Sequence, residues 1–266
     1  MALKVKKYLG QHFLKNRSIA RKIVEAANIE KTDTILEVGP GRGALTELLL
    51  QKAVPAGSRA SQIIAIEKDK ELVQYLKDKF VHYENLSVIH GDILKIENLK
   101  LIENWKLKIE NYKIVANIPY YITSRFLRKF LETDCQPSLM VLMVQKEVAE
   151  RIIAKDGKES LLSISVKVYG QPKIIAKVSA ENFSPKPKVD SAIIAIENIS
   201  KSFFKDNRID EKRFFQMLKL GFSHKRKLLK NNLKIGAETL QKCKIPPLSR
   251  AEDLSLENWK CLYKIT

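Results

Sequence analysis

A strand, a glycine loop and a helix follow one another over residues 34–49, and no other stretch limits the possible folds so tightly. Thr34-Ile35-Leu36-Glu37-Val38 is apolar enough for a buried strand. Gly39-Pro40-Gly41-Arg42-Gly43 permits a tight turn, and Leu45, Leu48 and Leu49 then recur at helical spacing. Such a unit aims a helix N-terminus at a ligand, the plan of a nucleotide site in a doubly wound sheet. The spacing is Glu-x-Gly-x-Gly-x-Gly, whereas a dinucleotide fingerprint reads Gly-x-Gly-x-x-Gly. Glu37 would put negative charge near the ligand, which disfavours a pyrophosphate and favours a cationic sulfonium.

The same alternation continues down the chain. Ile63 to Glu67 reads as a second strand, Lys70 to Phe80 as a helix, and Leu86 to Ile89 as a third strand ending at Gly91-Asp92. Ile114 to Ala116 reads as a fourth strand, Thr123 to Leu131 as a helix, and Leu139 to Val144 as a fifth strand leading to a helix through Arg151. Strand alternating with helix predicts an α/β fold with a parallel, doubly wound sheet. Leu161 to Tyr169 suits a helix, although its β-branched residues leave a strand open. Lys173 to Val178 and Ala192 to Ile196 read as an antiparallel pair at the sheet edge. Ahead of the first strand stand a basic arm, residues 1–17, and a helix from Ser18 to Ala27 with Ser18 as its cap. Glu67 and Asp92 fall at strand C-terminal ends, where open α/β sheets bind ligands. Glu67 is placed to take ribose hydroxyls and Asp92 an adenine amine.

Asn117-Ile118-Pro119-Tyr120 ends the fourth strand with four unlike residues. Asn117 offers an amide oxygen as acceptor, and Pro119 restricts the backbone of Ile118 and so aims its carbonyl. Tyr120 adds a flat face for a base. Two acceptors beside a ring suit an exocyclic amine. Accepting its protons draws the nitrogen towards tetrahedral geometry and frees its lone pair. The plainer alternative is a strand followed by a proline turn. Further on, Phe183-Ser184-Pro185-Lys186-Pro187-Lys188-Val189-Asp190-Ser191 is a proline-stiffened loop. Phe183 there suits either a base, with Lys186 and Lys188 on its phosphates, or a place in the core.

Charge narrows the partners. The formal net charge is +18, far more than solubility needs, and a polyanion accounts for it. A lysine-rich composition without any partner is the other account. After Ile199 the pattern becomes helical and basic: Lys201 to Asn207 reads as a linker, Asp210 as the cap of a helix carrying Phe214, Phe215, Leu218 and Phe222. Lys225, Arg226, Lys227 and Lys230 share a short helical stretch with Leu228, Leu229 and Leu233, either an RNA footprint or a solvated face. Ser249 and Glu252 have capping-box spacing before a last helix through Trp259. Domains of 1–200 and 201–266 follow. The three cysteines, Cys135, Cys243 and Cys261, lack metal-ligand spacing and cannot all pair within one chain, so a reducing cytoplasm is the simplest setting. No apolar run approaches the length of a membrane span.

In combination these stretches resemble the ribosomal RNA adenine-N6 dimethyltransferases, and the bacterial small-subunit group in particular. The resemblance rests on Gly10-Gln11-His12-Phe13-Leu14, the Glu37-to-Gly43 loop, Asn117-Ile118-Pro119-Tyr120, the Phe183-to-Ser191 loop and the Lys225-to-Leu233 stretch. It implies a Rossmann-like S-adenosylmethionine-dependent methyltransferase sheet with a small all-helical C-terminal domain. It implies dimethylation of two adjacent adenosines in a terminal hairpin of 16S rRNA, on free rRNA or an immature small subunit, by a monomer that needs no metal. His12, Leu14, Gly39, Gly41, Glu67, Asp92 and Asn117 would then hold the cofactor, with Tyr120 and Phe183 stacking on a flipped adenine. His12 is a departure, since the family usually has Asn there. The relatives that methylate large-subunit rRNA and confer macrolide resistance share Asn-Ile-Pro-Tyr and rank second. A third possibility is an RNA-binding assembly or transcription factor with dispensable catalysis.

Overall fold

The computed structural model describes residues 4–53, 61–95, 112–155 and 157–266. The chain folds into two compact units. One holds Met1–Ala149 with Lys173–Ile199, the other Glu150–Pro172 with Ser200–Thr266.

The first unit is built on a sheet. Its strands are β2 (Thr34–Val38), β3 (Gln62–Glu67), β4 (Leu86–His90), β5 (Tyr112–Asn117), β6 (Leu139–Gln145), β7 (Gln171–Val178) and β9 (Ser191–Glu197). Among the described residues their order is β4-β3-β2-β5-β6-β9-β7. The first five are parallel, and β9 runs antiparallel to β6. The expected pair does lie at one edge of the sheet, with β7 outermost and β9 between it and β6. Burial explains the placement. Ser191 to Ile196 are all buried, whereas the residues of β7 alternate between exposed and half-buried as far as Lys177. Two short strands, β1 (Phe13–Leu14) and β8 (Phe183–Ser184), pair antiparallel as a separate ribbon.

Register decides where the site falls. Val38 lies opposite Ile66 on one side and Ala116 on the other. Glu67 lies opposite His90, and Asn117 opposite Met143. The C-terminal ends of β2, β3, β4 and β5 therefore finish level, which places the glycine loop, Glu67, Asp92 and Asn117 along one edge. Helices α1 (Arg17–Ala26) and α2 (Ala44–Ala53) cover the sheet with Ile23, Val24, Leu48, Leu49 and Leu50 in one core. The cap of α1 is Asn16, not Ser18. Its side chain accepts from Ser18 N at 2.9 Å and Ile19 N at 3.4 Å, so the helix begins one residue early. Next come α3 (Lys70–Lys79), capped by Asp69, then α4 (Thr123–Leu131) and α5 (Lys146–Ile153), the last running across the boundary between units.

The second unit is helical: α6 (Leu161–Lys167), α7 (Ser202–Asn207), α8 (Glu211–Gly221), α9 (Leu229–Leu233), α10 (Ala237–Lys242) and α11 (Leu256–Ile265). Four expectations change here. Residues 150–172, up to the start of β7, group with this unit, because Tyr169 packs against Phe204 and Phe215 and its hydroxyl donates to Glu211 at 2.6 Å. The supposed linker 201–207 is a helix, since Phe203 and Phe204 both pack on Phe214. Lys225 to Lys227 are not helical. They sit in an exposed turn that Asn232 ties down by donating to Gly221 O at 2.7 Å and His224 O at 3.1 Å. The box before the last helix is Ser255 with Asn258, not Ser249 with Glu252, and Glu252 pairs instead with Lys158 at 3.0 Å. Cys243 and Cys261 form a disulfide across the α10–α11 hairpin, with their Cα atoms 5.7 Å apart, which leaves Cys135 free.

Candidate active site

The level strand ends form the floor of a cavity of about 530 Å³ in the first unit. The glycine loop makes one wall. Gly41 has φ +60°, a conformation that suits glycine, and a Cβ there would come within 3.0 Å of the Phe13 ring. Phe13 belongs to the arm, and Arg42 lies over its ring, 4.8 Å from the centroid. The arm thus closes down on a loop that only a bare backbone could form.

The arm is held at several points. Phe13 and Leu14 pair with Ser184 and Phe183, and Lys15 N donates to Asn182 O at 2.8 Å. Lys6 Nζ reaches Asp69 at 2.6 Å, and Gln11 Nε2 donates to the other oxygen of Asp69 at 3.0 Å. Gln11 Oε1 in turn accepts from Lys6 N at 2.7 Å. Asp69 N donates to Glu67 Oε1 at 2.9 Å, so the clasp ends on a carboxylate that lines the cavity.

Glu67 is 6% exposed and also accepts from Gly41 N at 3.1 Å. Burial raises its pKa, and the backbone donors of Asp69, Gly41 and Lys68 pull the other way. Asp92 is met by Lys68 Nζ at 2.9 Å and by Leu94 N at 3.0 Å. Burial acts to raise its pKa, but the Lys68 and Leu94 hydrogen bonds and the nearby lysine charges hold it below the usual range.

Asn117 stands at the centre. Its Nδ2 donates to His12 O at 3.2 Å, which fixes the amide's orientation and keeps Oδ1 as the acceptor end. The His12 ring stacks on Tyr120, with centroids 6.0 Å apart and planes 17° apart. His12 Nδ1 lies 2.7 Å from Pro185 O, so that nitrogen must carry the proton. Tyr120 Oη is 2.6 Å from Ser191 Oγ, and burial raises the phenol pKa, so the ring is neutral. Ile122 N donates to Pro119 O at 3.1 Å, turning the chain at once into α4.

His12, Leu14, Gly39, Gly41, Glu67, Asp92, Asn117, Ile118, Pro119 and Tyr120 all line one cavity. Two expectations are corrected. Phe183 is 1% exposed and packs in the core, away from the cavity lining, because the β1–β8 ribbon turns its side chain inward. Glu37 does not charge the cavity. It is fully buried, accepts from Thr46 Oγ1 at 2.7 Å, and is pushed by burial up to about 8, so it is mostly protonated at neutral pH. Lys186 pairs with Glu181, and Lys188 is exposed. Lys225, Arg226 and Lys227 are exposed and Lys230 half-buried in the second unit, where none lines this cavity.

A family model described as ribosomal RNA adenine dimethylase matches residues 2–266. The chain belongs to that family. A curated ribosomal RNA small subunit methyltransferase A from Dehalococcoides mccartyi is 42% identical over 98% of this chain and 88% of its own length. The protein of that name from Fusobacterium nucleatum is 40% identical over 100% of this chain and 98% of its own. Among solved structures, a dimethyladenosine transferase from Plasmodium falciparum superposes with TM-score 0.78 at 28% identity, over 94% of this chain and 96% of that one. The 23S rRNA methyltransferase ErmE shares the fold, with TM-score 0.74 at 24% identity over 95% of this chain and 98% of that one.

The methyl donor of this adenine dimethylase is S-adenosylmethionine, and the cavity fits it. At Gly39 a Cβ would meet only Asn117 O, at 3.7 Å, so the bare backbone there leaves room beside the strand ends, where two carboxylates stand. Glu67, Asp92 and the backbone at Gly39 and Gly41 would hold the nucleoside end. The sequence marks Gln11 only as part of the Gly10-to-Leu14 motif and does not single out Lys68, Asp69 or Tyr121. Lys68 and Asp69 directly follow Glu67, and that adjacency was the signal that could have found them. The Gln11–Asp69 bond spans 58 positions and left no local signal.

Proposed function

We propose that this protein transfers two methyl groups to N6 of each of two adjacent adenosines in a terminal hairpin of small-subunit rRNA, during subunit assembly in the cytoplasm. The observation that carries this reading is Asn117, whose amide is pinned by His12 O at 3.2 Å with its oxygen left as acceptor at the strand end. That oxygen accepts a hydrogen bond from one N–H of the target amine, and the Ile118 carbonyl oxygen accepts from the other. The nitrogen pyramidalises and its lone pair leaves the ring. Tyr120 holds the base by stacking, with its hydroxyl anchored on Ser191. S-adenosylmethionine supplies the methyl on a cationic sulfur. With the cofactor held at Glu67, Asp92 and the glycine loop, N6 would displace the methyl from sulfur, a neutral thioether would leave, and the methylated nitrogen would shed its proton to solvent. Alignment and electrostatics supply the acceleration.

The small-subunit target follows from relatives of that name at 40% and 42% identity. We take the working form to be a monomer. Lys186, Lys188, Lys225, Arg226, Lys227 and Lys230 serve as contacts to the RNA backbone. The test is mass spectrometry of small-subunit rRNA incubated with and without the protein. Two neighbouring dimethyladenosines are expected in one hairpin. Their absence from the small subunit, or their appearance in large-subunit rRNA, overturns the proposal.

A further inference from the structure

We propose that Tyr121 is a second stacking residue, which holds the nucleotide next to the target adenosine at the mouth of the cavity. The inference rests on the function proposed above, because it needs a single-stranded RNA segment to be the substrate.

Two consecutive tyrosines leave β5 and face different surroundings. Tyr120 is engaged on the inside, by the His12 ring and Ser191. Tyr121 also lines the cavity but is 54% exposed, far more than a large ring needs to be in a folded core. The arm nonetheless passes close against one part of the ring. A Cβ on Gly10 would lie 3.1 Å from Tyr121 Cε1, and Pro119 Cβ borders the same point at 3.4 Å. Gly10, at φ +66°, lets the arm pass directly against the ring. One part of the ring is therefore packed and the rest is open to solvent, as in a preformed stacking surface.

Its surroundings suit a nucleotide. Lys68 lines the same cavity as Tyr121, with its ammonium paired to Asp92 at 2.9 Å. Arg125, exposed on the first turn of α4, lines the same mouth, as do Lys15 and Lys95. Aromatic faces set among cations match the bases and phosphates of single-stranded nucleic acid. The geometry also answers a need of the reaction. When one of two adjacent adenosines enters the cavity, its neighbour is pulled from its stack and must rest elsewhere. Tyr121 follows Tyr120 directly and offers that place.

The experiment uses the full chain and a small-subunit rRNA hairpin fragment carrying 2-aminopurine beside the target adenosine. The parent should quench the probe. Tyr121→Leu keeps apolar bulk against Gly10 but removes the ring. It should abolish the quench and weaken RNA binding roughly 5- to 150-fold, the range for losing one stacked base. Tyr121→Phe should restore both, and S-adenosylmethionine affinity should match the parent in each variant. Equal quenching and RNA affinity in Tyr121→Leu overturns the inference. So does a loss of cofactor affinity and melting temperature with RNA affinity intact, which makes Tyr121 a support for the arm. Failure of the parent to methylate the fragment overturns the functional reading instead. Methylation by the parent with unchanged behaviour of Tyr121→Leu sinks this inference alone.

Discussion

Single residues divide into those that act on the substrate and those that hold others still. Asn117 is the first kind. Replacing it by Ala removes the aligned acceptor and should lower turnover by about 100-fold or more, with melting temperature near that of the parent. Methyl transfer to rRNA by the purified variant at the parental rate would remove Asn117 from the chemistry. Glu37 is the second kind, and its effect lies in stability. Its carboxyl is pushed up to about 8 when folded, above the ordinary value of 4.5. Between those values the folded state binds the proton more tightly than the unfolded chain. Stability from this group is therefore complete below about pH 4.5 and declines as pH rises towards 8. Glu37→Gln keeps an acceptor for Thr46 and cannot ionise, so its melting temperature should fall less than the parent's between those two pH values. Parallel melting curves for the two proteins across the range would show that Glu37 titrates normally.

At the scale of elements, the strands were legible and the turns of side chains were not. Each buried parallel strand is a contiguous apolar run, so Ile63 to Ile66 and Ile114 to Ala116 announce themselves. The acids and amide that follow them fall into register without further information. Caps slip because Asn16 and Ser18 are equally good residues two positions apart, and only the backbone decides between them. Phe183 could not be placed because an aromatic beside prolines and lysines has the same spelling whether it faces in or out. Its burial through β8 gives a clear expectation. Phe183→Ala should cost about 3–5 kcal/mol of stability, read by denaturant melting, beyond any effect on activity. An unchanged melt with weakened RNA binding would return Phe183 to the base. The α10–α11 hairpin yields a second expectation. Its disulfide joins cysteines 18 positions apart and should contribute about 3 kcal/mol. Reductant should destabilise the helical unit of the parent but not of Cys243→Ser. Equal sensitivity of both would mean that the bond does not form in solution.

For the whole molecule, the net charge of +18 and the turn at Lys225 to Lys227 set the terms of RNA binding. The chain crowds these cations into a turn held by Asn232 rather than along a helix, where they are exposed together. Changing Lys225, Arg226 and Lys227 to Glu should weaken rRNA binding. It should also flatten the slope of log affinity against log salt by about one unit for each phosphate no longer neutralised. Cofactor affinity should not move. Filter binding across a salt series decides, and an unchanged slope would make the turn a solvated loop. The pairing of β1 with β8 has a different consequence, for the order of events on the ribosome. Phe13 and Leu14 leave the exit tunnel early, yet their partners Ser184 and Phe183 are made only after all five parallel strands. The strand β9, buried inside the sheet, arrives later still. A nascent chain therefore carries the glycine loop and Asn117 long before the arm can be pinned to its ribbon partner, and the cavity gains its N-terminal wall only well after its floor is made.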